Sequence, residues 1–360
     1  MKKLLMICNG TGKVKNIGDH IQSLAAAQFT NPIDGYVERE MLNYYNSLEI
    51  GKMIMNGWFM HQPLNWPPSD MIKPLIVSFH IVPKCESLMF SKKGIEFFKK
   101  HAPIGCRDTG TLEMFEKYNI PSFFSGCLTL TLGLTYKNKH KTKKCIFVDP
   151  YYEFVRNKNG NYSIKTLLKT IIYGLKNLSN IKKLWKNFNF VGSSLKESFL
   201  FKFIRRFLNI SAFYRTYSKI FDDSLLFSAQ YVTHTINNTV SDLAATKLAE
   251  EYVRNYSQAS LVVTSRIHCA LPCLGIETPV IFVSSENLES AKNPIRSPGR
   301  FGGLIDLMRV MYYEDKGLST NDDELLKLKN KITLDTVILN KNNHVKLSNK
   351  LIEICNNFMK

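Results

Sequence analysis

The chain is 360 residues long, with 44% hydrophobic and 22% charged residues. This length favours two domains, and the composition excludes a largely disordered protein. No run of about 18 apolar residues occurs, so no helix is predicted to span a membrane. The apolar run 4–8 near the N-terminus is too short for a signal peptide and is predicted to be a buried strand.

The eight cysteines are scattered along the chain and form no C-x-x-C pair. They are predicted to be free thiols in a reducing cytosol, and a structural zinc site is not expected. The formal net charge is +18, and residues 137–220 carry nearly all of it, with 19 Lys and Arg against three acidic residues. This uneven distribution indicates that one basic segment meets an anionic partner.

The loop 9–18 contains Gly10, Gly12 and Lys13 but lacks the Walker spacing, which argues against a P-loop nucleotide site. It leads into a helix that the apolar positions Ile21 and Leu24 predict. At the start of this helix, Gly18 would let the backbone approach a ligand, and Asp19 would face that ligand. The alternative is that Asp19 only caps the helix.

Three further strands are predicted at 53–55, 75–79 and 104–106, and polar residues follow each of them. The carboxyl ends of parallel strands are where open α/β sheets bind ligands. Arg107 follows the last of these strands and precedes a helix, for which Asp108 is the predicted N-cap. The pattern therefore predicts a cation at a helix start.

Residues 260–283 form the most informative stretch, a predicted strand–helix–strand unit. Thr264 and Ser265 are N-cap residue types, so the helix is predicted to open there, with Arg266 and His268 in its first turn. Unpaired backbone N–H groups and the helix dipole favour an anion at that place. This predicts a site for a phosphorylated substrate. The alternative is an arginine paired with a nearby acid and a histidine that caps a strand end.

Apolar residues at helical spacing recur over 164–178 and again over 199–208, interleaved with lysines and arginines. Basic amphipathic helices with aromatic anchors bind anionic bilayers, so residues 160–220 are predicted to lie on an anionic membrane surface. The alternative is a helical insertion that packs its apolar stripe on its own domain and leaves its lysines in solvent. Nucleic acid is a less favoured partner, because the segment has no recognisable binding module.

Three motifs occur together in the chain: Asn-Ile-Gly-Asp at 16–19, Gly-Cys-Arg-Asp at 105–108 and Thr-Ser-Arg-Ile-His at 264–268. In kind, order and spacing they resemble those of the polysaccharide pyruvyl transferase family. The resemblance covers most of residues 1–310 and is weak over 151–225.

The resemblance implies an α/β fold of two Rossmann-like domains facing a cleft, as in the GT-B glycosyltransferases. The expected boundaries are 1–138 for the first domain and 139–320 for the second, which contains the basic helical insertion. Residues 321–360 are expected to form a C-terminal helical tail.

The resemblance also implies a reaction that moves the pyruvyl group of phosphoenolpyruvate onto a sugar, forming a ketal and releasing phosphate. Neither a metal nor a bound organic cofactor is expected, since phosphoenolpyruvate is a co-substrate. His268 would be the general acid and Asp19 would position or deprotonate a sugar hydroxyl, while Arg266 and Arg107 bind the anionic groups. The predicted substrate-binding set also includes Gly18, Ser265 and Glu286.

The acceptor is expected to be a lipid-linked sugar, and the protein a cytoplasmic enzyme held on the inner face of the membrane. Two alternatives stay open. One is a GT-B glycosyltransferase that uses a nucleotide-sugar, whose diphosphate would occupy the same helix start. The other is a non-catalytic, membrane-associated sugar-binding protein.

Overall fold

The computed structural model describes residues 1–8, 14–152, 164–188, 198–284, 301–314 and 317–360. These residues form a mixed α/β fold with two six-stranded sheets and one small two-stranded sheet. The strands of the first half of the chain are β1 (Lys2–Ile7), β2 (Val14–Asn16), β3 (Gly35–Glu38), β4 (Gly51–Phe59), β5 (Ile72–Ile81), β6 (Ile104–Cys106) and β7 (Ser122–Phe124).

The first large sheet is parallel throughout and has the order β3-β1-β4-β5-β6-β7. Its central strands β4 and β5 are buried along nearly their whole length, as expected for strands covered on both faces. The helices of this half are α1 (Ile17–Ala27), α2 (Glu86–Met89), α3 (Lys92–Lys100), α4 (Thr109–Lys117) and α5 (Gly133–Tyr136).

Two of these helices begin at side-chain caps. The side chain of Asp108 accepts a hydrogen bond from the Thr111 backbone N–H at 3.0 Å and starts α4, which confirms the predicted N-cap. Asn16 caps α1 by accepting from the Gly18 N–H at 3.1 Å. The interpretation of Asp19 as the cap is therefore wrong, because Asp19 lies inside the first turn.

The second half forms the other large sheet, with the order β14-β13-β12-β11-β8-β9 and only β14 antiparallel. Its strands are β8 (Thr142–Val148), β9 (Gln230–Val232), β10 (Thr235–Asn237), β11 (Ala259–Thr264), β12 (Val280–Ser284), β13 (Arg309–Glu314) and β14 (Gly317–Ser319). Strand β10 is not part of this sheet and pairs antiparallel with β2 of the first half. The pairing ties the two halves together next to the start of α1.

The helices of the second half are α6 (Ile164–Lys176), α7 (Leu178–Trp185), α8 (Phe199–Tyr217), α9 (Asp223–Ser228), α10 (Asp242–Gln258), α11 (Ile267–Gly275), α12 (Asp323–Leu326) and α13 (His344–Met359). Short 3₁₀ turns occur at Arg39–Tyr44, Pro63–Asn65, Pro83–Cys85, Leu128–Thr131 and Ile305–Leu307. None of the helices among the described residues combines the length and the apolar character needed to cross a membrane.

The C-terminal segment is only partly helical, so the prediction of a helical tail over 321–360 is wrong between α12 and α13. Its backbone and side chains there hydrogen-bond to other elements instead: Ile332 N–H donates to the Ile220 carbonyl at 2.8 Å, and Asn340 accepts from Val280 N–H at 3.0 Å. Helix α13 returns to the first half, where Leu347 packs beside Gly126.

One buried apolar cluster contains residues of both halves, including Ile21 and Leu24 of α1 and Leu271 and Leu274 of α11. Helices α1 and α11 therefore pack against each other, and their N-terminal ends meet at the junction of the halves. The predicted α/β class is confirmed. The finer prediction of two Rossmann-like domains in a GT-B arrangement, with its domain boundaries, stays a prediction.

Candidate functional site

Arg107 lies at the carboxyl end of β6, directly before α4, and its side chain is 1% exposed. Its backbone N–H donates to the Phe79 carbonyl of the neighbouring strand at 2.9 Å, which fixes the start of the side chain. The guanidinium Nε lies 3.3 Å from Asp108 Oδ2, and Nη1 lies 3.4 Å from His268 Nε2. The remaining nitrogen, Nη2, is buried and has no hydrogen-bond partner among the described residues.

Asp108 joins Arg107 to a second buried histidine. Its Oδ2 lies 2.7 Å from His80 Nδ1, and its Oδ1 accepts from the Thr111 hydroxyl at 2.8 Å. Burial alone would raise the pKa of the Asp108 carboxyl, but His80, Arg107 and Thr111 together hold that pKa below its usual value. Asp108 is therefore a buried carboxylate that holds the Arg107 guanidinium in place.

His268 stands at the start of α11, with φ −81° and ψ 15°, outside the helical range. The prediction that Thr264 and Ser265 open this helix is wrong, because α11 begins at Ile267 and Arg266 occupies the N-cap position. Ser265 cannot cap the helix, since its hydroxyl donates to the Val283 carbonyl and accepts from Tyr151 N–H at 2.7 Å. The serine joins strand ends in the second sheet.

The imidazole of His268 contacts both halves of the molecule and is 6% exposed. Its Nε2 faces Arg107, and its Nδ1 lies 3.3 Å from Gln22 Nε2 on α1. Gly18 lies against the same ring, because a Cβ added there would stand 2.9 Å from the His268 Cβ. A side chain at position 18 would therefore displace His268.

Gln22 also connects His268 to Asp19. Its amide nitrogen lies 3.3 Å from Asp19 Oδ1 and 3.3 Å from the Gly18 carbonyl. Gly57, at φ +103°, makes room for this amide, since a Cβ there would lie 2.6 Å from Gln22 Oε1. The partly exposed carboxylate of Asp19 is thus one side chain away from the imidazole.

Arg266 approaches from the second half and keeps about a third of its side chain exposed. Its Nε donates to Asp149 Oδ2 at 2.8 Å and its Nη2 to the Thr235 hydroxyl at 3.2 Å. Asp149 also accepts from the His234 backbone N–H at 2.9 Å. The side chain of His234 hydrogen-bonds to Tyr256 at 2.8 Å, and burial lowers the pKa of its imidazole to about 4.

A cavity of about 50 Å³ opens between the two halves. This volume is several times the roughly 10–15 Å³ that one water needs, so a small anionic group fits. Arg107 lies behind His268 and not on the cavity wall. The wall is formed by Asn16, His234, Ser265, Arg266, Ile267, His268 and Phe301.

The structure therefore brings together Gly18, Asp19, Arg107, Arg266 and His268. Both arginines form ion pairs with neighbouring acids, as the simpler interpretation expected for Arg266. Glu286 and the arginines at 296 and 300 lie outside the described residues.

The sequence did not assign a role to Gln22, His80 or Asp149. Gln22 contacts His268 and Asp149 contacts Arg266, whereas His80 contacts Asp108. Asp149 and His80 stand at or near the ends of predicted strands, which is a weak signal for a ligand edge. Gln22 follows Gly18 by one helical turn, so it shares a face with the motif residue. That spacing could have indicated Gln22 as a site residue.

A family model described as polysaccharide pyruvyl transferase matches residues 89–287, more than half of the chain. The chain belongs to this family. The range that matches the polysaccharide pyruvyl transferase model includes Arg107, Asp149, Arg266 and His268. Residues 16–22 lie outside the matched range, although they contact His268.

Comparison with curated proteins and with solved structures finds no match. Within the described ranges, no group of three or more His, Cys, Asp or Glu side chains is placed to hold a metal ion. All eight cysteines are buried and free. Burial raises the pKa of Cys8 to about 12, so this thiol stays protonated near neutral pH and is a poor nucleophile.

Proposed function

We propose that this member of the polysaccharide pyruvyl transferase family transfers the pyruvyl group of phosphoenolpyruvate to two hydroxyls of a sugar. The product is a cyclic ketal, and inorganic phosphate leaves. The observation that carries the proposal is the position of His268 between Arg107 of the first half and the cavity that Arg266 borders. A histidine lies there with one arginine from each half of the molecule nearby.

Two groups of the donor need cationic partners, because phosphoenolpyruvate carries a phosphate and a carboxylate. Arg266 borders the cavity and keeps part of its guanidinium accessible, so it would bind one of them. Arg107 would offer its Nη2, which has no hydrogen-bond partner in the described part of the chain, to the other group once the His268 ring shifts from its present contact. The ion pairs with Asp108 and Asp149 orient both arginines for this role.

The chemical step needs a proton at the methylene carbon of phosphoenolpyruvate. His268 would deliver it, which turns the methylene into a methyl group and leaves the neighbouring carbon open to attack by a sugar oxygen. The phosphate then leaves with the bridging oxygen, and the second hydroxyl closes the ketal. The two hydroxyls lose two protons, of which one replaces the proton donated to carbon and the other departs with phosphate.

Asp19 lies on the first-half side of His268 and is partly exposed, which suits a group that orients a sugar hydroxyl. Gln22 would keep Asp19 and His268 at a fixed separation, since its amide reaches both. Gly18 would allow the close approach of α1 to the imidazole. Ser265 supports the strand ends and has no direct substrate role in this proposal.

The acceptor we propose is a lipid-linked sugar precursor of a polysaccharide, used at the cytoplasmic face of a membrane. The eight free cysteines support a reducing compartment, because disulfides persist only in oxidising ones. The family supports a polysaccharide precursor as the acceptor class.

The test is incubation of the purified chain with phosphoenolpyruvate and a panel of soluble and lipid-linked sugars. We expect phosphate release that depends on the acceptor, and a product heavier than the acceptor by one pyruvate less one water. Release of a nucleoside diphosphate from a nucleotide-sugar, with no reaction of phosphoenolpyruvate, would replace the proposal with a glycosyltransferase. Tight sugar binding without turnover of either donor would indicate a non-catalytic protein.

A further inference from the structure

Helices α6, α7 and α8 contain lysines and arginines but no acidic residue within their described ranges. Their exposed lysines therefore have no opposite charge on the same helices to neutralise them. In the connected stretch from α6 to just beyond α7, the exposed cations are Lys165, Lys169, Lys176, Lys182, Lys183 and Lys186.

Large apolar side chains stand in solvent on the same helices. On α6, Ile164, Leu168 and Ile172 follow one another at four-residue spacing, so they share one face, and each is at least half exposed. At the start of α8, Phe199 is 85% exposed and Phe203 is 51% exposed. Side chains of this size are rarely clustered in water on a monomeric protein without a partner.

Other parts of these helices pack against the protein. Gly174 of α6 lies against Phe207 of α8, because a Cβ there would stand 2.6 Å from the Phe207 ring. The C-terminal half of α8 is buried, with Phe213 and Tyr217 in the core of the second half. The interpretation of an insertion packed on its own domain thus accounts for one face and leaves the exposed apolar face unexplained.

We propose that α6 and the first two turns of α8 form a docking surface for an anionic lipid bilayer. The apolar side chains would enter the boundary between head groups and acyl chains, while the lysines contact lipid phosphates. A nucleic acid would contact the lysines but leave the apolar row of α6 exposed to water. A bilayer accounts for both the lysines and the apolar row.

Helix α8 also contacts the loop that positions Arg266. Tyr152 donates its hydroxyl to Asn209 at 3.0 Å, and Tyr217 donates to the Tyr151 carbonyl at 2.8 Å. Tyr151 N–H in turn donates to Ser265, next to Arg266. Ten residues separate Phe199 from Asn209, which corresponds to about 15 Å along the helix. This step rests on the proposed function: a bilayer at Phe199 would lie on the same helix that contacts the loop beside Arg266, so a lipid-linked acceptor would approach the cavity from that side.

The experiment is co-sedimentation of the full chain with phosphatidylcholine vesicles, either pure or containing about 30% phosphatidylglycerol. We expect binding to the anionic vesicles that weakens as salt rises, and little binding to the neutral ones. Changing Lys165, Lys169 and Lys176 together to Gln should weaken partitioning roughly 100-fold, from about fivefold per cation. The triple variant Phe199→Ser, Leu200→Ser, Phe203→Ser should also lose vesicle binding.

Matched controls carry the same changes elsewhere on the surface. Leu48→Ser, Leu64→Ser and Leu243→Ser remove apolar side chains that are each at least 70% exposed, and Lys92→Gln, Lys93→Gln and Lys346→Gln remove exposed charges. Both controls should bind vesicles as the unchanged chain does. Absence of vesicle binding, or equal loss in the controls, would overturn the proposal. Binding to a single-stranded RNA that excludes vesicles would replace it with a nucleic-acid surface.

Vesicle binding is tested independently of the proposed reaction. Both surface variants should keep full phosphate release with a soluble acceptor, because α6 and the start of α8 lie away from the cavity wall. If the chain binds anionic vesicles but does not turn over phosphoenolpyruvate, the surface stands and the reaction fails. If turnover occurs without vesicle binding, the surface fails and the reaction stands.

Discussion

Arg107 and Arg266 occupy similar places in the two halves of the molecule, yet their surroundings differ. Each follows the end of a parallel strand and precedes a helix. Arg107 is 1% exposed and packs against Asp108 and His268, whereas the Arg266 side chain is 32% exposed and borders the cavity. One arginine is therefore part of the interior, and the other faces the ligand site.

The difference shows that a strand–cation–helix pattern fixes where a cation stands but not how accessible it is. Accessibility depends on what the opposite half presents. Arg107 is covered by His268 of the second half, while Arg266 meets the short β2–β10 pairing through Thr235. Changes at the two arginines should consequently affect different quantities.

The largest expected effect is at His268, where the two environments meet. His268→Ala should lower kcat by about 10²–10⁴-fold, because the proton donor is removed. Binding of phosphoenolpyruvate, measured by calorimetry, should change only a few-fold. His20→Gln is the control, since His20 is a buried histidine of α1 that contacts Thr246 instead. Unchanged turnover in the His268 variant would remove this residue from the mechanism.

The next largest expected effect is on the free energy of unfolding, which should differ between variants of the two arginines. Arg107→Met leaves the fully buried Asp108 carboxylate with His80 and Thr111 alone, so the free energy of unfolding should fall by about 3–5 kcal/mol. Arg266→Met breaks a partly exposed pair and should cost about 1 kcal/mol or less. Urea unfolding of both variants measures this contrast. Equal losses would show that the two environments are energetically alike.

The sequence predicted the two strand–cation–helix units and placed Arg107, Arg266, His268 and Gly18 near one site. Local patterns suffice for this, because hydrophobic runs and helix starts depend on neighbouring residues. The start of α11 was misplaced, since the Ser265 hydroxyl is taken up by backbone groups far along the chain.

The residues that hold the site were not predictable in the same way. His80 reaches Asp108 across two neighbouring strands, and Gln22 reaches His268 across the two halves. Such contacts depend on tertiary packing, which a single sequence does not show. The ion pairs of the two arginines are a further example. In the sequence, Asp108 and Asp149 only follow predicted strands, and the fold pairs them with Arg107 and Arg266.

On the Arg266 side, stability should depend on pH through His234. Burial lowers the pKa of its imidazole to about 4, below the usual value of 6.5. Between pH 4 and pH 6.5 the His234 imidazole is protonated in the unfolded chain and neutral in the folded chain. The free energy of unfolding therefore has its full value above pH 6.5 and decreases as the pH drops towards 4. The loss should reach about 3 kcal/mol at the acidic end of this window.

Urea unfolding at a series of pH values measures this slope, and His234→Gln should remove a large part of it. A slope should remain, because burial also lowers the pKa of His20, His61, His101 and His344. An unchanged slope in the variant would mean that His234 does not differ in protonation between the folded and unfolded chain.

The smallest effect concerns the shape of the Arg266 side chain rather than its charge. The guanidinium donates from two nitrogens, to Asp149 and to Thr235, and an ammonium group cannot reach both in the same geometry. Arg266→Lys should therefore lower kcat/KM for phosphoenolpyruvate by about tenfold, while the midpoint of thermal unfolding stays nearly constant. Arg254→Lys, in an exposed pair with Glu250 on α10, is the matched control and should leave both quantities unchanged. If the lysine variant turned over normally, charge alone would suffice at this position, and the anchoring of the guanidinium by Asp149 and Thr235 would serve only the fold.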